Sequence, residues 1–187
     1  MAVYTEVSDE DLIDFIAEYD IGEVRSCKGI AEGIENSNYL MHTDQGAFIL
    51  TLYEKRVDPV DLPFFLGFMD HLASRGIHAP VPIKGRDGIA LRSLCGRPAA
   101  VVTFLDGMWH RRIKPEHCSQ LGEALAKMHL AGLDFSLSRA NNLSVTAWRG
   151  LLSDSLARAD EVKEGLASEL ETELTLLENE WPDGLPS

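Results

Sequence analysis

The sequence predicts an α+β chain in which a five-stranded antiparallel lobe is followed by a lobe built of helices. Three observations carry this. The run from Val24 to Arg56, VRSCKGIAEGIENSNYLMHTDQGAFILTLYEKR, reads as strand, glycine-bearing loop, strand, tight turn, strand. Two further short apolar runs, 89–94 and 99–105, follow one intervening helix. Beyond Asp106-Gly107 the apolar spacing becomes helical.

Taken in order, Ser8-Asp9-Glu10-Asp11 is a capping-box-like start, with Leu12, Phe15, Ile16 and Tyr19 at helical spacing behind it and an end near Asp20-Ile21-Gly22. In the three-strand unit, Asp44-Gln45-Gly46 is the turn between NYLMHT and AFILTLY. Gly29 and Gly33 bracket the preceding loop, where a missing Cβ permits positive φ and close backbone approach to a ligand. Such a hairpin can lay backbone N–H groups over a polyphosphate; it is equally the pattern of an ordinary hairpin whose glycines serve its turns. Asp58-Pro59 opens the next helix, with Leu62, Phe65, Leu66, Phe68, Met69, Leu72 and Ala73 as its stripe and Gly76 as its stop. Pro80 and Pro82 hold the exit extended, and Cys95-Gly96-Arg97-Pro98 turns the last strand pair. Pro115 starts a helix carrying Cys118, Leu121, Leu125, Met128 and His129; 133–150 reads as loop and turn. A long amphipathic helix then carries Val162, Leu166, Leu170, Leu174 and Leu177 and stops at Trp181-Pro182-Asp183-Gly184.

With 187 residues, 45% of them hydrophobic, and a net charge of −13, the composition is that of a globular chain. The charge is uneven: residues 1–23 hold eight acids and no Lys or Arg, and residues 150–187 hold ten acids against Arg158 and Lys163. The middle, with fifteen Lys and Arg against twelve acids, is mildly basic and suits a small anion. A pI near 4.8 argues against nucleic acid. No apolar run reaches the roughly 20 residues of a membrane span, and MAVYTEVSDEDL lacks the blocks of a signal peptide, so the expectation is a cytoplasmic protein without a membrane partner. Cys27, Cys95 and Cys118 form no CxxC pair and the six histidines no HxxxH, so a structural metal is not expected.

The runs GIAEGIENSNYL, FILTLYEKRVD, DLPFFLGFMDHLASRGI, GRPAAVVTFLDG, HCSQLGEALAKMHLAGLDF and RANNLSVTAWR, in this order, resemble the protein-kinase-like small-molecule kinases of the aminoglycoside phosphotransferase and choline kinase superfamily. Within it the chain closely resembles the bacterial homoserine kinase family. The resemblance implies a protein-kinase-like fold with a nucleotide lobe over 1–105, a hinge at 103–107 and a partial helical lobe over 106–187. It implies phosphoryl transfer from Mg-ATP to the hydroxyl of L-homoserine, in threonine biosynthesis, with catalysis resting on positioning and charge neutralisation. A related kinase for choline, an aminoglycoside or methylthioribose, and a non-catalytic binding or dimerising module, are the alternatives.

By position, the resemblance makes Gly29 to Asn38 the loop above the nucleotide phosphates, with Gly33 at the closest approach and Ile30 against adenine. Asn36, Ser37 and Asn38 are expected to meet phosphate oxygens or to tie the loop together. Thr103, Phe104 and Leu105, with Asp106, would read the adenine edge through backbone groups. Where the superfamily carries a phosphate-binding Lys, this sequence has Thr51; Lys55 lies on the same strand face if the strand runs so far. Phe65 stands about where that Lys would find its helix Glu.

The His-x-Asp-x-x-x-x-Asn loop and the later metal-binding Asp find no counterpart. His42-Thr43-Asp44 lies in the hairpin turn and lacks the Asn, and Asp134-Phe135-Ser136 imitates a metal-binding motif with no such loop before it. The chain ends at Leu185-Pro186-Ser187, about where the loop should begin, so the expectation is the N-terminal part of a longer kinase: no catalytic residue, and Mg²⁺ ligands beyond residue 187. Arg139, Asn141 and Asn142 are candidates for the substrate side, since Arg grips carboxylates bidentately, or are loop-holding residues. His129 reads as a core histidine, the three tryptophans as packing residues, and the acids of 154–183 as a solvated helix face.

Overall fold

Ser8 starts the first element. Its Oγ accepts the Asp11 N–H at 3.1 Å, and helix α1 (Asp9–Ile16) turns Leu12, Phe15 and Ile16 inward. The computed structural model describes residues 4–31, 33, 35–54 and 57–182. Strands β1 (Val24–Gly29), β2 (Asn36–Thr43), β3 (Gly46–Tyr53), β4 (Arg92–Leu94) and β5 (Arg97–Thr103) form one sheet in the order β1-β2-β3-β5-β4, antiparallel at every pairing.

Strict alternation along β2 and β3 gives the sheet two unlike faces. One face carries the cross-strand row Tyr39, Leu50 and Val101, with Met41 and Leu52 beside it, and these pack with Leu12, Phe15, Ile16 and Tyr19 as the core. Met41, Leu50 and Leu52 are wholly buried, which is worth about 1.5–3 kcal/mol for each such side chain. The other face carries the rows Asn38–Thr51–Ala100 and Leu40–Ile49–Val102.

Asp58 caps as the sequence anticipates, accepting the Val60 N–H, but a 3₁₀ turn over Pro59–Asp61 precedes helix α2 (Leu62–Ser74). Phe64 and Phe68 of α2 meet Phe135, with centroids 5.5 and 5.1 Å away. The ring of His71 lies 2.8 Å from the Ala131 carbonyl, and Arg75 pairs with Asp134. Through these contacts the end of α3 (Pro115–Gly132) is docked on α2. The backbone accordingly packs as two compact units, Met1–Ser138 and Arg139–Ser187, so the first reaches past the 103–107 segment.

The second unit holds helices α4 (Val145–Ala159) and α5 (Leu166–Glu180). Here the structure departs from the sequence reading: α4 begins inside the stretch read as loop and turn, and Val162, read as the start of the long helix, is an exposed turn residue. Gly150, Ser153 and Ser155 dilute the apolar stripe of α4, and Gly165, at φ +80°, separates the two helices. Arg149 of α4 grips Glu178 of α5 through Nε and Nη2 and also reaches Glu171. The hydrogen bond to Glu178 raises the Arg149 guanidinium's pKa, and the same bond from Arg149 holds the Glu178 carboxyl below the usual range. No helix among the described residues is long and apolar enough to cross a membrane.

Candidate nucleotide site

The glycine-bearing loop leaves β1 at Gly29 and is closed at its base by the Ile30 N–H donating to the Asn38 carbonyl at 2.8 Å. Gly33 has φ +111°, and a Cβ there would meet nothing nearer than Asn38 Nδ2 at 3.9 Å. The glycine is therefore required by backbone conformation and not by crowding. Asn38 is oriented by its neighbour: Thr51 Oγ1 donates to Asn38 Oδ1 at 2.8 Å, which turns the amide NH₂ toward the loop. Among the described residues the loop thus has a neutral side-chain donor beside its glycine backbone, a donor set suited to phosphate oxygens.

The three consecutive polar residues of β2 have separate duties. Ser37 ties pieces of chain other than the loop. It is wholly buried on the core face, accepting the Tyr4 and Thr5 N–H groups at 2.8 and 3.0 Å and donating to Glu54 Oε1 at 2.7 Å. A hydroxyl so enclosed reaches no phosphate. Asn36 Oδ1 accepts the Glu54 N–H at 3.4 Å, and Asn38 Nδ2 is the side-chain nitrogen that lies beside Gly33. Thr51 stands on the loop-bearing face, as strand parity requires, with its hydroxyl engaged by Asn38. Lys55 lies outside the described residues.

At the far end of β5, the Thr103 N–H donates to the Val81 carbonyl at 3.0 Å, and Thr103 Oγ1 accepts the Val81 N–H at 2.9 Å. The Phe104 N–H is taken by Ala47 O at 3.2 Å. Among the described residues the Leu105 N–H makes no hydrogen bond. Of Thr103, Phe104 and Leu105, the last is therefore the one whose backbone N–H is not taken up by another described residue.

Two residues at the base of the loop escaped the sequence reading. Glu54 is a carboxylate with only 9% of its side chain exposed, held by Ser37 and, at 3.1 Å, by Arg97 Nε. The available signal was parity: Glu54 is two residues beyond Leu52, on the core-facing phase of β3, where an acid requires partners.

The remaining candidates stand elsewhere. Asn141 Oδ1 accepts the Leu143 N–H at 3.0 Å, an Asx turn leading into α4, and Arg139 and Asn142 are exposed at the start of the second unit. His129, read as a core histidine, is exposed on α3, which buries no residue. Trp109, read as packing, is 83% exposed, whereas Trp148 and Trp181 meet edge to face at 5.1 Å. Asp134 of the motif-like Asp-Phe-Ser is bound to Arg75, whose hydrogen bond holds its carboxyl below the usual range. Among the described residues no group of three or more His, Cys, Asp or Glu side chains is placed to hold a metal ion. A cavity of about 610 Å³ lies on the α1 side of the sheet, between Ile16, Gly22, Gln45 and Arg86, and no loop or hinge residue lines it.

Comparison with known proteins gives these features a context. The model of the phosphotransferase enzyme family matches residues 26–187. The homoserine kinase of Paramagnetospirillum magneticum is 66% identical over 186 residues, all of this chain and 57% of that protein. That of Rhodospirillum rubrum is 62% identical over 187 residues, again all of this chain and 58% of the relative. The chain thus spans little more than half the length of these curated relatives. Among solved structures, a spectinomycin phosphotransferase in complex with ADP and spectinomycin superimposes with a TM-score of 0.61 at 14% identity, covering 96% of this chain and 60% of that one. An aminoglycoside phosphotransferase from Alicyclobacillus acidocaldarius gives 0.57 at 14% identity, over 88% and 52% of the two chains. The fold expected from the sequence, a five-stranded antiparallel sheet plus helices of protein-kinase-like type, is the fold observed.

Proposed function

The chain belongs to the phosphotransferase enzyme family, and from that premise we propose that it is the N-terminal, nucleotide-holding part of an ATP-dependent homoserine kinase. The observation that carries the reading is the run of relatives bearing that name, each matched along the whole of this chain at 56–66% identity. The 14% identity of the solved phosphotransferases supports the fold and carries no substrate across.

The nucleotide would lie beneath the glycine-bearing loop, its phosphates toward Gly33 and the Asn38 amide and its adenine edge toward the Leu105 N–H. Ile30 is the apolar residue nearest that role in sequence. ATP supplies the phosphoryl group for the homoserine hydroxyl; the described residues orient it and exclude water from it. No group of three or more His, Cys, Asp or Glu side chains among them is placed to hold a metal ion. We assign the Mg²⁺ ligands and the group that accepts the hydroxyl proton to the share of the relatives' length that this chain does not span. Arg139 remains the candidate for the substrate carboxylate. A cytoplasmic setting and a place in threonine biosynthesis go with this activity.

Two measurements on the purified 187-residue chain test the reading. Isothermal titration is expected to show ATP binding, and a coupled assay is expected to show no homoserine-dependent ADP release. Absence of ATP binding refutes the nucleotide site; ADP release strictly dependent on homoserine refutes the assignment of catalysis to other residues.

A further inference from the structure

The first half of β2 is gripped on two sides for different ends. On one face Asn38 directs its amide at the glycine-bearing loop, while its carbonyl closes the loop through Ile30. On the opposite face, one residue before and one after Asn38, Ser37 and Tyr39 are both anchored to the N-terminal segment. Ser37 Oγ accepts the Tyr4 and Thr5 N–H groups, and the Tyr39 hydroxyl donates to the Thr5 carbonyl at 2.6 Å.

Ser37 is saturated: it accepts two hydrogen bonds and donates its proton to Glu54. Glu54 is in turn fixed by Arg97 and, through its own N–H, by Asn36. One buried hydroxyl therefore joins three pieces of chain: the N-terminal segment, the start of β2 and the end of β3. The first has no place in the nucleotide site, and the other two form its base.

We propose that Ser37 is a positioning residue that couples the N-terminal segment Tyr4–Val7 to the glycine-bearing loop, so that nucleotide affinity depends on a strap contributing no atom to the site. The proposal rests on the nucleotide reading above. Removing the Ser37 hydroxyl leaves two backbone donors and a nearly buried carboxylate without their shared partner. The start of β2 is then held from one side, and Asn38 and the Ile30–Asn38 closure lose their fixed backing.

The test uses the whole chain with Ser37→Ala, Tyr39→Phe, the double variant and Thr43→Ala. Thr43 is a buried polar residue at the far end of β2, where its Oγ1 accepts the Gln45 N–H. Thr43→Ala therefore controls for general destabilisation. Expected is an ATP Kd raised about tenfold by Ser37→Ala and about threefold by Tyr39→Phe. The double variant is expected to fall short of the product, because both changes release one strap. Amide exchange at Ile30 is expected to accelerate in both single variants, and Thr43→Ala to leave Kd unchanged.

An unchanged Kd with a lowered melting temperature, or an equal loss of affinity in Thr43→Ala, overturns the proposal. Should the wild-type chain bind no ATP, the nucleotide reading fails by itself. Ile30 exchange then decides the coupling: faster in Ser37→Ala and Tyr39→Phe supports it, unchanged overturns it.

Discussion

Leu105→Pro separates binding from folding at the hinge. Proline removes a backbone N–H and restricts the preceding residue to extended conformations, and Phe104 directly follows a strand. At Leu105 the lost N–H makes no hydrogen bond among the described residues, so the folded state gives up none there. At Phe104 the same replacement would remove the donor to Ala47 O and open the end of the β3–β5 pairing. A hydrogen bond from a backbone N–H to an adenine ring nitrogen contributes about 0.5–1.5 kcal/mol net. Leu105→Pro is therefore expected to raise the ATP Kd about two- to twelvefold with little change in melting temperature. Phe104→Pro is expected to lower melting temperature as well. Calorimetric titration with ATP, paired with differential scanning calorimetry, reads both quantities. An unchanged Kd in a folded Leu105→Pro chain would show that Leu105 is not the adenine-reading donor.

Two further predictions concern what holds the first unit together. Gly22 lies at φ +81°, and a Cβ there would collide with Asp44 Oδ1, which accepts the Glu23 N–H. Gly22→Ala combines a left-handed penalty of about 1–2 kcal/mol with a lost hydrogen bond of about 1 kcal/mol. It is expected to lower the melting temperature by about 5–10 °C, and a shift below about 2 °C would contradict the geometry. Asp134 has its folded-state pKa depressed, first by the hydrogen bond from Arg75. Its contribution is thus present above the unfolded carboxylate pKa of about 3.9 and is lost as pH falls through the lower folded value. Asp134→Asn is expected to make melting temperature less sensitive to acid between about pH 5 and pH 3; an unaltered acid limb would count against the pair.

How much of this was legible follows from which force decides each element. Strands β2 and β3 were readable because period-2 burial and the Asp44-Gln45-Gly46 turn agree, β5 because it is a short continuous apolar run, and α1 because Ser8 caps an apolar stripe. Helix α4 was not, because its stripe is broken by Gly150 and serines and it takes its order from Arg149–Glu178 and Trp148–Trp181, contacts with residues some thirty positions away. Such pairings leave no local periodicity. His129 misled for the converse reason: helical spacing places it beside Leu125, but Leu125 is itself 43% exposed, so the stripe of α3 predicts a face without saying what covers it.

In the site, residue types were legible and their allocation was not. Asn36, Ser37 and Asn38 are three polar residues in a row, and a strand must send alternate members to opposite faces. Here parity sends Ser37 to the core, where only a hydroxyl with every hydrogen bond made is tolerated, and sends Asn38 to the loop face, its Oδ1 held by Thr51 and its NH₂ beside Gly33. The same rule places Glu54 inward and so calls for Arg97. The missing lysine is answered in the same terms. Thr51 keeps the strand position but cannot supply charge, and its hydroxyl instead fixes which end of Asn38 faces the loop. Beside this oriented neutral pair the same face carries Lys28 of β1, opposite Leu40, so a positive charge on the loop side comes from the neighbouring strand. Under the nucleotide reading, Asn38 and Thr51 set the register of a polyphosphate and leave charge compensation to groups other than these.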